Sequence, residues 1–163
     1  MKKNPFFILF ALCGLVFYSC DDDNIKVSNE FQSAFEARYP DAQRVEWEKE
    51  YGYYVADFWK IDEHAEAEAW FDKQAGWQMT VTEITFNDLP QEVKASFDSS
   101  EYGNWYTDDT DKVERPDKGL LYVIEVEKGK TEYDLYFAPD GRFIKAVKDT
   151  RKNKDHHHYL TTE

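Results

Sequence analysis

Residues 52–59 read Gly-Tyr-Tyr-Val-Ala-Asp-Phe-Trp, and residues 65–72 read Ala-Glu-Ala-Glu-Ala-Trp-Phe-Asp. In both stretches side chains of different polarity alternate with period two, which is typical of β-strands that bury one face. A similar pair follows at residues 122–126 and 134–138, the first of them starting 68 positions after Tyr54. This internal similarity predicts two copies of one antiparallel unit.

A short amphipathic helix is predicted before each strand pair. The first spans residues 30–39 and stops at Pro40, because proline cannot continue a helix. The second is capped by Asn87-Asp88 and has Pro90 in its first turn. Further strands are predicted at residues 44–48, 77–84, 105–107 and 141–147, with polar loops at residues 60–64 and 108–119. We therefore expect an α+β fold of two tandem helix-plus-antiparallel-sheet repeats, residues 28–86 and 87–148.

Each predicted strand has one apolar side and one acidic, aromatic side. The apolar side suits packing under a helix, whereas Trp and Tyr side chains among charges are typical of binding surfaces. Outward-facing aromatic residues can also serve only to stabilise cross-strand pairs, or be covered by loops or by the other repeat. The candidate partner-binding residues on the acidic side are Tyr53, Asp57, Trp59, Glu66, Glu68, Trp70, Glu125, Asp134 and Tyr136.

The N-terminus has the outline of a lipoprotein export signal. Lys2 and Lys3 precede an apolar run at residues 6–18, and Ser19-Cys20 supplies a cleavage site. This predicts a signal peptide at residues 1–19, lipidation of Cys20 and a tether at residues 20–27. The protein would then be an outer-membrane lipoprotein in the periplasm or on the cell surface; an ordinary secretory signal and an uncleaved anchor are the alternatives.

Charge and cysteine content narrow the classes of partner. Cys13 and Cys20 are the two cysteines, so a lipidated mature chain has none left for a disulfide. Removal of two lysines with the signal changes the formal net charge from −13 to −15. Such a charge repels nucleic acid and anionic lipid, so contact with the membrane is expected through the lipid anchor only. It favours basic proteins or cations, unless it serves solubility alone.

Taken together, the chain resembles the PepSY-like, beta-lactamase-inhibitor-like family of periplasmic proteins, in two tandem copies. The resemblance implies a continuous, concave antiparallel sheet with helices on one face, and a role in protein binding or inhibition without catalysis. The residues that carry it are Phe35, Tyr39-Pro40-Asp41-Ala42, Val45-Glu46-Trp47, residues 52–58, residues 66–71, Leu89-Pro90, Val93, residues 122–126, residues 134–137 and Asp140-Gly141.

Known catalytic constellations are missing from the sequence. Three of the four histidines lie at residues 156–158, in a tail at residues 149–163 that is expected to be charged and frayed. His64 is the one histidine of the body, which leaves little for a Ser-His-Asp or Cys-His site. Neither a P-loop nor a glycine-rich nucleotide fingerprint occurs. We predict that the protein is not an enzyme, needs no cofactor and binds an unidentified envelope protein or peptide.

A cation-modulated sensor is the alternative function. Asp108, Asp109 and Asp111 fall in a predicted acidic loop, and carboxylate oxygens suit Ca²⁺. The stretch lacks the glycine and glutamate of an EF-hand, so these three residues are weak metal candidates and a solvated loop is the competing interpretation. No metal site is assigned to the adjacent histidines of the tail, because they form no shaped set of ligands.

Overall fold

A computed structural model describes residues 25–149 and 156–161. It contains two α-helices, eight β-strands and two 3-10 turns within these ranges. In chain order they are α1 (Asn29–Arg38), β1 (Gln43–Glu50), β2 (Tyr53–Lys60), β3 (Ala65–Phe71), β4 (Trp77–Glu83), a 3-10 turn (Phe86–Asp88), α2 (Gln91–Asp98), β5 (Tyr106–Arg115), β6 (Gly119–Lys128), β7 (Thr131–Phe137), β8 (Phe143–Asp149) and a second 3-10 turn (His157–Leu160).

All eight strands form one antiparallel sheet in which the order of the strands is the order of the chain. A helix followed by four strands therefore occurs twice along the sequence. The two sets are joined edge to edge by the pairing of β4 with β5, where Val81 lies opposite Val113. The expectation of an α+β fold with a continuous antiparallel sheet is confirmed.

Both helices pack on the same face of this sheet. Phe31 and Phe35 of α1 are buried against β1, β2 and β3, and Val93 and Phe97 of α2 are buried against β6 and β7. Directly opposed residues share a face, and the register runs without a change of side from β2 to β7. One row of cross-strand neighbours, with one residue from each strand from β2 to β7, shows this: Phe58, Ala67, Thr82, Lys112, Tyr122 and Phe137. The predicted apolar sides of these strands are therefore the helix-bearing face.

The second helix begins later than predicted. Leu89 has an extended backbone, with φ −61° and ψ 146°, because the proline that follows it disfavours the helical region. Asn87 and Asp88 consequently end the 3-10 turn instead of capping α2. Asp88 accepts two hydrogen bonds from Thr85, one from its hydroxyl at 2.6 Å and one from its backbone N–H at 3.1 Å.

Gly141 has a φ of +81°, and a side chain there would lie 2.4 Å from the carbonyl oxygen of Glu92, so glycine lets the β7–β8 turn approach α2.

The predicted polar loop at residues 108–119 is wrong over most of its length, because residues 108–115 belong to β5. On the helix-bearing face β4 and β5 carry polar side chains that lie in neither helix's apolar cluster. There Lys112 and Lys60 both bind Glu63, and Lys60 lies 3.6 Å from Glu114. Two of the charges that suggested a solvated loop thus form ion pairs: Lys112 with Glu63 of the β2–β3 turn, and Glu114 with Lys60 of β2.

No helix within the described ranges is long and apolar enough to cross a membrane. Residues 1–24, with the predicted signal, Cys20 and most of the tether, lie outside those ranges.

Candidate functional site

The face of the sheet opposite the helices, which we term the acidic face, places carboxylates directly opposite one another. Asp57 of β2 lies between Glu46 of β1 and Glu68 of β3. The same arrangement recurs at Glu83 with Asp111 and at Glu125 with Asp134. Like charges in direct opposition destabilise a sheet, so this face favours cations that would lie among the carboxylates.

An apolar cluster occupies the middle of the acidic face. Trp70 is 0% exposed and Tyr136 is 1% exposed. The expectation that these aromatic side chains are available to a partner is therefore wrong, although their assignment to this face is right. The buried members of the cluster are Val55, Trp70, Met79, Val81, Val113, Leu121, Val123, Tyr136 and Tyr159.

Tyr159 belongs to the piece of chain at residues 156–161, which we term the C-terminal segment. Its side chain is 4% exposed, and its ring meets that of Tyr136 edge-on with centroids 6.0 Å apart. The hydroxyl of Tyr159 donates to Asp111 Oδ2 at 2.8 Å, and its carbonyl oxygen accepts a hydrogen bond from Arg115 Nη1 at 3.2 Å. The tail was expected to be frayed, but this part of it packs on the acidic face because the apolar cluster buries the tyrosine ring.

Two imidazoles of the C-terminal segment lie against the opposed carboxylates. His156 Nδ1 is 2.9 Å from Glu68 Oε2, and its Nε2 is 3.6 Å from Asp111 Oδ2. His158 Nε2 is 3.3 Å from Asp134 Oδ2. The segment therefore places imidazole nitrogens where the sheet has an excess of negative charge.

Burial and charge change the titration of this group of residues. Burial alone would lower the pKa of His156, but the hydrogen bond to Glu68 and the nearby carboxylates raise that pKa to about 9. Burial raises the pKa of Asp111 to about 7, although the charge of His156 opposes the shift. Charged His156 is thus favoured by the site that holds it.

Beside His156 the acidic face opens into a cleft of about 330 Å³, which we term the acidic cleft. Asp57, Glu66 and Glu68 contribute carboxylates to its lining, and Trp59 supplies an aromatic wall. Burial and the surrounding glutamates, Glu68 first among them, raise the pKa of Asp57 to about 7. The guanidinium of Arg44 lies 4.9 Å from the ring of Trp59 and 3.7 Å from Glu66, so one cation already borders the cleft.

The structure divides the candidate partner-binding residues into two groups. Asp57, Trp59, Glu66 and Glu68 meet at the acidic cleft. The others lie at or beside the buried centre of the face: Tyr53 contacts Trp70 with ring centroids 6.0 Å apart, Glu125 opposes Asp134, and Asp134 and Tyr136 contact the C-terminal segment.

The weak metal candidates are placed on a strand. Asp108, Asp109 and Asp111 all belong to β5, and the carboxylate of Asp111 is engaged by Tyr159 and His156. Asp109 Oδ1 accepts the backbone N–H of Thr110 at 2.8 Å. In the part of the chain that the structure describes, no three His, Cys, Asp or Glu side chains are grouped as metal ligands.

Sequence reasoning missed His156, His158, Tyr159 and Arg115. One signal was available, because the run Leu121-Tyr122-Val123-Ile124 is apolar on both sides of β6. A strand that is apolar on both sides is typically covered on both faces. The helices cover one face of β6, so the other also needed a cover.

These features define an open-sheet α+β protein with its helices on one face and an acidic, aromatic surface on the other. The model of the family described as "Putative beta-lactamase-inhibitor-like, PepSY-like" matches residues 52–145. The chain therefore belongs to this PepSY-like family, and membership indicates a non-catalytic binding module.

Solved structures agree with this assignment. A BLIP-like protein from Bacteroides fragilis is 36% identical, with a TM-score of 0.76 over 81% of this chain and 93% of that chain. A DUF2874 family protein from Bacteroides uniformis is 30% identical, with a TM-score of 0.72 over 78% and 94%. A structure from Bacteroides eggerthii, described as one of "putative periplasmic proteins", is 26% identical, with a TM-score of 0.70 over 76% and 90%. A search of curated proteins found no match.

Proposed function

We propose that the protein is a non-catalytic binding module that recognises a protein or peptide through its acidic face. The observation that carries this proposal is the C-terminal segment, a short peptide already held on that face by a buried tyrosine and by imidazole–carboxylate pairs. A surface that binds a piece of its own chain in this way has the chemistry to bind a similar piece of another chain. The family's description suggests that such binding can be inhibitory.

The acidic cleft supports the same proposal, because it offers the parts of an interface hot spot. Trp59 provides a large rigid ring that is half-buried, the half-buried Asp57 provides a polar carboxyl group beside it, and the exposed Glu66 adds negative charge. Aromatic anchors next to desolvated polar groups dominate the energetics of many interfaces. With a net charge of −13 for the whole chain, a basic partner would also be steered toward this surface.

The architecture and location of the module form part of the proposal. Residues 28–86 and 87–148 would be tandem copies of one unit, which the order of helix and four strands in each half supports. Lipidation of Cys20 would attach the chain to the outer membrane through a tether at residues 20–27, with the module in the periplasm or at the cell surface. A similar protein described as periplasmic supports an envelope location.

A capture experiment tests the binding function. Residues 21–163 would be immobilised and exposed to detergent-solubilised envelope, in parallel with the Trp59→Ala variant. Phe143→Ala is a matched control, since Phe143 is 43% exposed but lies on the helix-bearing face opposite Phe137. We expect wild type and Phe143→Ala to retain one defined protein that Trp59→Ala loses. Equal capture by all three folded chains would contradict recognition at the acidic cleft.

A further inference from the structure

We propose that the site filled by Tyr159 and His156 is the partner's own recognition site, and that the partner presents a cationic side chain three residues before an aromatic one. The C-terminal segment would then be a resident competitor for this site. The inference rests on the proposed binding function, and it adds the chemistry of the partner to it.

The aromatic half of the site is built to accept a phenol ring. Tyr159 lies in an apolar cluster with the edge of its ring toward Tyr136, and its hydroxyl reaches the buried carboxylate of Asp111. A buried tyrosine usually needs both an apolar surface and a hydrogen-bond partner for its hydroxyl. The sheet provides both, so the segment supplies only the ring and hydroxyl that fill this half of the site.

The cationic half of the site lies one turn away. His156 is placed between Glu68 and Asp111, with its ring stacked on that of Tyr159 at an interplanar angle of 18°. The acidic cleft continues from His156 toward Asp57 and Glu66. Lys and Arg are longer than His, so their charged groups could extend into this cleft and meet additional carboxylates.

The C-terminal segment is held chiefly by its side chains. It adds no strand to the sheet. The side chains of His156, His158 and Tyr159 contact the sheet, Leu160 packs against the apolar cluster, and the His157 ring stacks on that of Tyr51 in the β1–β2 turn. The Tyr159 carbonyl oxygen adds a backbone contact by accepting a hydrogen bond from Arg115. The site therefore recognises the type and spacing of side chains on a short turn. Another protein can present the same side chains at the same spacing.

The covalent connection gives the segment an advantage over a free peptide. Six residues separate Asp149, the end of β8, from His156. Short linkers produce effective concentrations on the order of millimolar, so a free peptide with the same side chains must compete against that concentration. A partner would bind detectably only if it made additional contacts, such as those that the acidic cleft offers.

Peptide titration tests the inference. The labelled probe would be residues 155–162, and the protein would be residues 21–163 as wild type and as the His156→Ala/Tyr159→Ala variant, followed by fluorescence anisotropy. We expect the variant to bind the probe at least about tenfold more tightly than wild type does, because its own segment no longer fills the site. A probe with Tyr159→Ala should lose binding, whereas one with His156→Lys should keep it.

Three results would overturn the inference: equal affinity of the probe for both proteins, no saturable binding to the folded variant up to about 1 mM, or equal binding of the Tyr159→Ala probe. Far-UV circular dichroism checks the fold, and the single His156→Ala variant replaces the double variant if the latter unfolds. Thr161→Ala is the control, since Thr161 is exposed. Trp59-dependent capture that persists despite failure of the peptide titration would leave the binding function standing and exclude only this recognition site.

Discussion

The hydroxyl of Tyr159 donates a hydrogen bond to Asp111 across 48 positions of sequence. The bond joins the last described segment of the chain to β5, at the middle of the sheet, where Asp111 is 5% exposed. Both partners of this bond also contact His156: the carboxylate of Asp111 lies 3.6 Å from its Nε2, and the ring of Tyr159 stacks on its imidazole. The stability of the acidic face should therefore depend on this contact.

Removal of the hydroxyl alone should weaken the docking of the C-terminal segment. Tyr159→Phe keeps the ring in the apolar cluster but leaves the carboxylate of Asp111 without this donor, so we expect a loss of about 1 kcal/mol in the free energy of unfolding. Urea denaturation measures it. Tyr106→Phe is the control, because Tyr106 is 63% exposed. A Tyr159→Phe chain as stable as wild type would show that the hydroxyl contributes nothing.

The docking of the segment should weaken in alkaline solution. The pKa of His156 is about 9 in the folded chain and 6.5 as its ordinary value, because Glu68, Asp111 and Asp109 favour its charged form. A raised pKa contributes stability that is complete below pH 6.5 and is lost as the pH rises through 9. We expect the melting temperature of wild type to fall more between these pH values than that of His156→Ala. Parallel curves for the two chains would contradict the ion pair.

Asp57→Asn should stabilise the protein at neutral pH. The pKa of Asp57 is about 7 instead of 3.8, since burial and the glutamates around it disfavour the carboxylate. Its stabilising contribution is present below pH 3.8 and is lost as the pH rises through 7. The amide resembles the protonated acid, so the variant should match wild type near pH 4 and melt higher above pH 7. Asp41→Asn, at an exposed position, should show no such divergence.

The two halves of the sheet should unfold together. Phe35→Ala under α1 should cost about 3–5 kcal/mol, because Phe35 is 3% exposed and its ring contacts those of Trp47 and Phe58. Val93→Ala under α2 removes fewer atoms and should cost less. Since β4 and β5 join the halves, each variant should still show one transition in urea by fluorescence and by circular dichroism. Two separated transitions would mean that the halves fold independently.

Period-two alternation predicted the strands other than most of β5, and their faces, because it follows burial directly. Helical spacing and the prolines predicted both helices. Only the start of β5 was predicted, at residues 105–107, since the helix-bearing side of the rest carries Lys112 and Glu114, whose partners are distant in sequence. The same alternation placed Asp57, Trp59 and Glu66 on the acidic side of the sheet, but it did not predict that they line a cleft. The packing of the C-terminal segment was not predicted. A run of histidines near the end of a sequence is typical of a solvated tail, and its carboxylate partners Glu68 and Asp134 are distant in sequence.

The strand order has a consequence for how the chain reaches this structure. Turns of two to five residues join consecutive strands, except where α2 intervenes between β4 and β5. Short connections keep the entropy of loop closure small, and hairpins of this kind form within about 1–10 μs. Pairing can therefore begin at any hairpin and spread to its neighbours. Tyr159 can find its site only once β5, β6 and β7 are side by side, so closure of the acidic face would be the last event in folding.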